Sequence, residues 1–240
     1  EPSDGKVIKK SNANVSCGSL ECRTITLREL VPFLGGGEGG IQSNQAIILG
    51  CAVKKGKEQY PLANGEIIQL TTKAKEPAIE NRINCLARTK ENFKFSSGRA
   101  LLLLDIDDNK KSLDEIFRIL GSIDKNLLTC IKVVNVSSSS HIFDADGNEI
   151  NGLKGLHIYI LVECGKDIPR YLKALFDRLW LAGYGHILID KAGRMHPRSI
   201  IDIAVDGSER ITFVAPATLQ DGLEQRRPDP ELSGGHFLNT

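Results

Sequence analysis

The chain has 240 residues, 41% of them hydrophobic and 25% charged, with a formal net charge of +1. That length buries a real core and suits one large domain or two small units sharing a site, with the composition of an ordinary soluble globular protein. No apolar run reaches the length of a membrane span, and the near-neutral charge counts mildly against a nucleic-acid enzyme with a broadly basic surface while leaving room for a local basic groove.

Six cysteines at 17, 22, 51, 85, 130 and 164 form no CxxC pair. This argues against a disulfide framework or a zinc ribbon, although Cys17 and Cys22 have the spacing of half a metal site. Cys130 and Cys164 lie inside apolar runs and read as reduced, buried thiols, so a reducing cytoplasm is the expected location. The opening EPSDGKVIKK carries neither an initiating Met nor a signal-peptide pattern and reads as the edge of a trimmed fragment.

Residues 1–23 are polar and read as frayed. Thr26-Leu27-Arg28-Glu29 is a capping box that opens a helix to about Leu34, stopped by GGGEGG. Residues 45–53 read as a strand, 66–70 as a weaker one, and 78–88 as a helix. ALLLLDID (100–107) is a buried strand running out into carboxylates. Ser112-Leu113-Asp114-Glu115 caps a second helix to about Leu120, ended by Gly121. CIKVVNV (130–136) is a strand, followed by a loop over 137–154 that holds SSSS and the turn DADGNE. LHIYILV (156–162) is a strand. Asp167 caps a helix with Pro169 in its first turn and an apolar stripe of Tyr171, Leu172, Leu175 and Leu179, stopped at Gly183. SIIDIAV (199–205) reads as a strand, RITFVA (210–215) as one more, and the polar, Pro-rich residues after 220 as a linker.

From residue 100 the order is β-α-β-β-α-β, the split βαβ or ferredoxin-like unit, of mixed α/β (α+β) class. The domain reading is an N-terminal α/β unit over 1–98 packed on the open face of an RRM-like catalytic palm over 99–218, then a tail over 219–240. In this unit the strands lie in the order 4-1-3-2. Alternation puts Asp105 and Asp107 on one face of the first strand, His157 and Tyr159 on the same face of the third, and Asp202 on that face of the fourth. Three carboxylates and an imidazole therefore converge. Carboxylates so close repel unless a cation compensates, and hard oxygen ligands suit Mg²⁺ or Mn²⁺, two of which can serve phosphoryl transfer.

The ordered set formed by DID at 105–107, GLH at 155–157 and IID at 200–202 resembles the archaeo-eukaryotic primase superfamily, in particular the primase–polymerases of plasmids and mobile elements. The likeness covers residues 86–216 best, with ARTKENFKF (87–95) as a companion motif. It implies a DNA primase/polymerase nucleotidyltransferase in which Asp105, Asp107 and Asp202 hold two divalent ions and His157 contacts the phosphates of an incoming NTP or dNTP. A 3′-hydroxyl would attack the α-phosphate on a single-stranded DNA template, with a helicase or other replication protein fused or associated, and no membrane partner. The motif's small residue is Gly155 instead of Ser; Ser139-Ser140-His141 is an alternative match, so His141 stays open as the motif histidine. Ser139, Lys154, Arg198 and Arg210 are candidate nucleotide-phosphate contacts, and Arg88 and Lys90 candidate nucleic-acid contacts.

Other readings use the same residues. Asp107 and Asp108 also suit a solvated turn, and Asp202 also suits an ion pair with Arg198 or Arg210. A rolling-circle initiator or relaxase would need a His-x-His metal pair and a nucleophilic Tyr, but His157 is followed by Ile158-Tyr159, so the paired histidine is absent; a cyclase would draw a carboxylate from Asp144 or Asp146, and an inactive nucleic-acid-binding module would keep the fold alone. No GKS or GKT phosphate loop is present to support ATPase chemistry.

Overall fold

The computed structural model describes residues 18–54, 60–71, 85–107 and 110–240. These form a mixed α+β chain with several small sheets and four helices. Among the described residues no helix is long and apolar enough to cross a membrane.

Helix α1 spans Leu27–Gly35 and begins as its capping box dictates: the Glu29 N–H donates to the Thr26 hydroxyl and the Thr26 N–H to the Glu29 carboxylate. Gly36, at a φ of 76°, ends it in the left-handed conformation that favours glycine. Before it, residues 18–21, expected as frayed, pair with Ile67–Thr71. The expected 45–53 strand is split into Ile47–Ile48 and Cys51–Lys54. Gly50 marks the break, since a Cβ there would lie 2.2 Å from the Ser208 carbonyl oxygen. Of the helix expected over 78–88, residues 78–84 lie outside the described residues. Cys85–Ala87 is instead a strand, parallel to Ile67–Thr71, with Leu86 and Ala87 both buried.

The principal sheet has four antiparallel strands. They are β1 (Ala100–Ile106), β2 (Lys132–Val136), β3 (Leu156–Val162) and β4 (Glu231–Ser233), in the spatial order β4-β2-β3-β1. Helix α2 (Leu113–Ile123) starts at Ser112, whose hydroxyl accepts the Glu115 N–H. It runs two residues past the expected stop at Gly121, which packs against Leu128 so closely that a Cβ would lie 2.6 Å from it. Helix α3 (Asn126–Thr129) follows, and α4 (Ile168–Leu179) carries Pro169 in its first turn. Asp167 does sit at the N-cap of α4, but its carboxylate binds Arg170 instead of the helix backbone.

Period-two alternation sends Leu102, Leu104 and Ile106 of β1, with Leu156, Ile158, Ile160 and Val162 of β3, to the face covered by α2 and α4. On the other face Leu103, Val133 and Tyr159 meet Leu30 and Leu34 of α1 and Val214. Both faces of the sheet are thus buried over much of their area, which is why β1 and β3 read as near-continuous apolar runs.

Three further parts of the chain depart from the expected pattern. Residues 199–205 do not form a strand beside β1. The Asp202 N–H donates once to the Asp105 carbonyl at 2.8 Å, and the Asp202 carboxylate then accepts the Ala204 N–H at 2.9 Å, turning the chain into a 3-10 helix over Ile203–Asp206. Aspartate's preference for capping over ladder formation accounts for this. With no ladder to impose alternation, Ile200 and Ile201 are both buried in the main core, where alternation would have put them on opposite faces. Between α4 and this segment lies an unanticipated hairpin, His186–Ile189 with Met195–Arg198. Finally, residues 219–240, read as a tail or linker, contribute β4 and bury Leu238 completely, beside Val162.

Candidate functional site

The β1–β3 ladder pairs Asp105 with His157, and the β3–β2 ladder pairs His157 with Asn135. Residues directly opposite on neighbouring antiparallel strands share a face, so Asp105, His157 and Asn135 form a polar row across three strands. Leu103, Tyr159 and Val133 form the next row on that face. The His157 Nε2 lies 3.4 Å from the Asp105 carboxylate, with side-chain exposures of 9% and 21%. His157 and Asn135 are buried, whereas the acid at the end of the row remains reachable.

Asp202 joins this row through its backbone, by the hydrogen bond to the Asp105 carbonyl. Its carboxylate is engaged by the Ala204 N–H and by the Arg198 guanidinium at 3.3 Å. The ion pair with Arg198 that the sequence left open is therefore present. Asp107 follows the last residue of β1 and is exposed. It stands beside Gly155, where a Cβ would lie 3.5 Å from the Asp107 carboxylate and 2.6 Å from the Ile106 carbonyl oxygen. That close approach gives a physical reason for glycine at a position where the resembled motif has Ser. Gly155→Ser is expected to cost about 1–3 kcal/mol through overpacking, read as a lowered thermal midpoint; an unchanged midpoint would mean the approach tolerates a side chain.

The remaining candidates are spread around this centre. His141, at a φ of 54°, sits on the Ile142–Phe143 hairpin with its Nδ1 2.8 Å from Glu149. Ser140 is buried, shares a hydrogen bond with Ser137 and accepts the Lys154 N–H, while Gln225 donates to the carbonyls of Ser138 and Ser140. Ser139 lies 3.4 Å from the Ser137 hydroxyl. Arg88 donates to the Glu209 carbonyl, and Lys90 and Arg210 are exposed. Asp144 is used by its own turn, accepting the Asn148 side-chain amide and the backbone N–H groups of Asn148 and Asp146, and these bonds, the side-chain one first, hold its carboxyl below the usual range.

Two residues not singled out from sequence complete the face. Asn135 fills the row beside His157. Arg227 reaches it from the C-terminal segment, donating to the carbonyls of Leu34 and Val214 and, at 3.5 Å, to the Asn135 side-chain oxygen. Burial lowers the Arg227 pKa, partly offset by nearby Tyr159. Tyr159 is fully buried; burial, then the Asp105 charge, raises its pKa far above the usual phenol value and keeps it neutral. Asn135 was legible in principle, as a polar residue set between the valines of its strand. Arg227 had no local signal.

The donor set suits a hard divalent cation in part. Asp105 and Asp107 are two apart at the end of one strand and supply carboxylate oxygens, the ligands Mg²⁺ and Mn²⁺ prefer. Asp202 is adjacent by backbone, but its carboxylate is turned to Arg198 and Ala204. Among the described residues no three His, Cys, Asp or Glu side chains are grouped as a ready metal cage. No protein-family model, curated protein or solved structure matches the chain.

Proposed function

We infer that the Asp105 row is the centre of a nucleotidyltransferase of primase–polymerase type, extending a 3′-hydroxyl with an NTP or dNTP on a single-stranded DNA template. The observation that carries this reading is the meeting of Asp105, His157 and Asp202, nearly a hundred residues apart, at the end of β1. The βαββαβ palm is the finer fold assignment that goes with it, with residues 199–202 standing where its fourth strand would begin.

Asp105 and Asp107 would hold two Mg²⁺ or Mn²⁺ ions, with Asp202 completing the set once its carboxylate exchanges Arg198 for the cation. When bound, such ions lower the pKa of an attacking hydroxyl and neutralise a leaving pyrophosphate. His157, buried against Asp105, fixes the direction of that carboxylate, as an imidazole does from behind an acidic ligand. This burial favours a positioning part for His157 over direct contact with phosphate. Arg198, on releasing Asp202, presents a guanidinium to the triphosphate.

Other chemistries fit less well. A relaxase would need a His-x-His metal pair, and Tyr159 stands where the second histidine would be; neutral and fully buried, it is also a poor nucleophile. A cyclase drawing on Asp144 would have to break that residue's own turn.

The test is extension of a primed single-stranded template with labelled nucleotides. Synthesis is expected with Mg²⁺ or Mn²⁺, to stop on EDTA addition, and to return when the metal is restored in excess. Products that form equally well in EDTA, or no product with either metal, would remove the assignment.

A further inference from the structure

We propose that a cleft of about 310 Å³, lined by Lys90, Lys94, Phe95, Lys166 and Ser208, holds the phosphate backbone of single-stranded nucleic acid at a place distinct from the carboxylate row. The choice of a nucleic-acid strand rests on the nucleotidyl-transfer reading above; the cleft's preference for a polyanion does not.

Segments far apart in sequence build the cleft. Lys90 lies in a turn closed by the N–H groups of Asn92 and Phe93 on the Thr89 carbonyl, each at 3.1 Å. Lys94 ends the short strand Phe93–Lys94, which pairs with Cys51 and Ala52. Lys166 stands on the 3-10 turn Gly165–Asp167, tied down by the Gly165 N–H on the Gly98 carbonyl at 2.9 Å. The Ser208 hydroxyl donates to the Phe93 carbonyl at 2.7 Å and locks the last wall to the second. The backbones are fixed while the three lysine side chains are exposed.

None of the lining residues is acidic. Three lysines line the one cleft, and their charge makes it favourable for an anion. Lysine binds phosphate as a mobile point charge, without the fixed geometry of an arginine fork, which suits a repeating backbone read without sequence preference. Phe95, half-buried at the edge of the main core, adds an aromatic surface to the cationic one. That combination is what sequence-tolerant single-strand binding sites use.

Position separates this ligand from the incoming nucleotide. Gly165 touches Ala100, at the start of β1, where a Cβ on Gly165 would lie 2.6 Å from the Ala100 Cβ. Asp105 is five residues further along the strand, roughly 17 Å at about 3.4 Å per residue. A triphosphate held at Asp105 does not span that gap, whereas a polymer engages both ends. On the opposite wall, five residues join Asp202 to Ser208 through the 3-10 turn.

The experiment measures anisotropy of a labelled oligo(dT) strand against the full chain in EDTA over a range of NaCl. The variants are Lys90→Gln, Lys94→Gln and Lys166→Gln, singly and together, with Lys173→Gln on the exposed face of α4 as control. The triple variant is expected to bind about tenfold or more weakly at low salt and to lose about 2 from the log–log salt slope, near 0.7 for each phosphate contact on a single strand. The control is expected to match the unmodified chain. Oligo(dT) binding with unchanged affinity and slope in the triple variant, or no binding by the unmodified chain, overturns the proposal. Because EDTA removes catalysis from the measurement, a chain that binds through these lysines but synthesises nothing sinks only the nucleotidyl-transfer reading.

Discussion

Asp105→Asn is expected to reduce primer extension by roughly a thousandfold or more, equivalent to about 4 kcal/mol of transition-state stabilisation, while the chain keeps its melting midpoint and its affinity for oligo(dT). Asparagine preserves the shape of the side chain and an oxygen to face His157, so the polar row keeps its packing. What disappears is one negative charge of the pair at the end of β1. Weak cation binding by two carboxylates becomes negligible binding by one, and the developing charge at the α-phosphate loses its compensation. Asp107→Asn is expected to behave alike. Asp190→Asn is the matched control, because Asp190 is a part-exposed carboxylate held below the usual range first by its bond to His196 on the 186–198 hairpin. Extension by Asp105→Asn at the unmodified rate would show that the carboxylate is structural. A variant that melts early or loses the oligonucleotide would leave the fold, and not the chemistry, as the role of Asp105.

How much of this was legible before the structure depends on the range of the interaction that decides each residue. The capping box at Thr26 and the N-cap at Ser112 were legible because the hydrogen bonds that define them span three residues, although Ser112 forms only its own half of the expected box. The facing of Asp105 and His157 was legible because strand periodicity and antiparallel pairing of β1 with β3 leave one arrangement that buries Leu104 and Ile158 together. The 199–205 segment was not, since its apolar residues fit a strand equally well and the outcome turned on Asp202 capping Ala204. At Cys85–Ala87 a local pattern that suits a helix was overridden by tertiary pairing with residues 67–71, which makes a small strand. The C-terminal segment was the largest omission. Its prolines and charges resemble a linker, yet β4 borrows its stability from the edge of β2, and nothing within residues 219–240 announces that partner.

Arg227 within that segment gives the largest expected effect on stability: Arg227→Met is expected to cost about 3 kcal/mol, since hydrogen bonds from a charged donor contribute more than neutral ones and their buried acceptors would be left bare. The guanidinium donates to Leu34 at the end of α1, to Val214 on the following layer and to Asn135 in the sheet, so one side chain ties three separate segments together. Methionine retains most of the apolar stem, which isolates the lost donors from lost packing. For a chain of this size the midpoint should fall by roughly 6–12 °C, with hydrogen exchange in residues 27–35 accelerating more than in β1 or β3, whose apolar rows do not depend on the tie. The neighbouring Arg226 supplies the comparison: it is exposed and paired with Glu224 two residues away, and Arg226→Met is expected to leave the midpoint unchanged, as removal of an exposed ion pair does. Equal effects from the two substitutions would mean that Arg227 acts as surface charge and that α1 is held on the sheet by Leu30 and Leu34 alone. An Arg227 effect confined to α1 exchange, with Asp105-dependent synthesis slowed in step, would instead trace a mechanical link from the C-terminal segment through Asn135 and His157 to the acid at the end of β1.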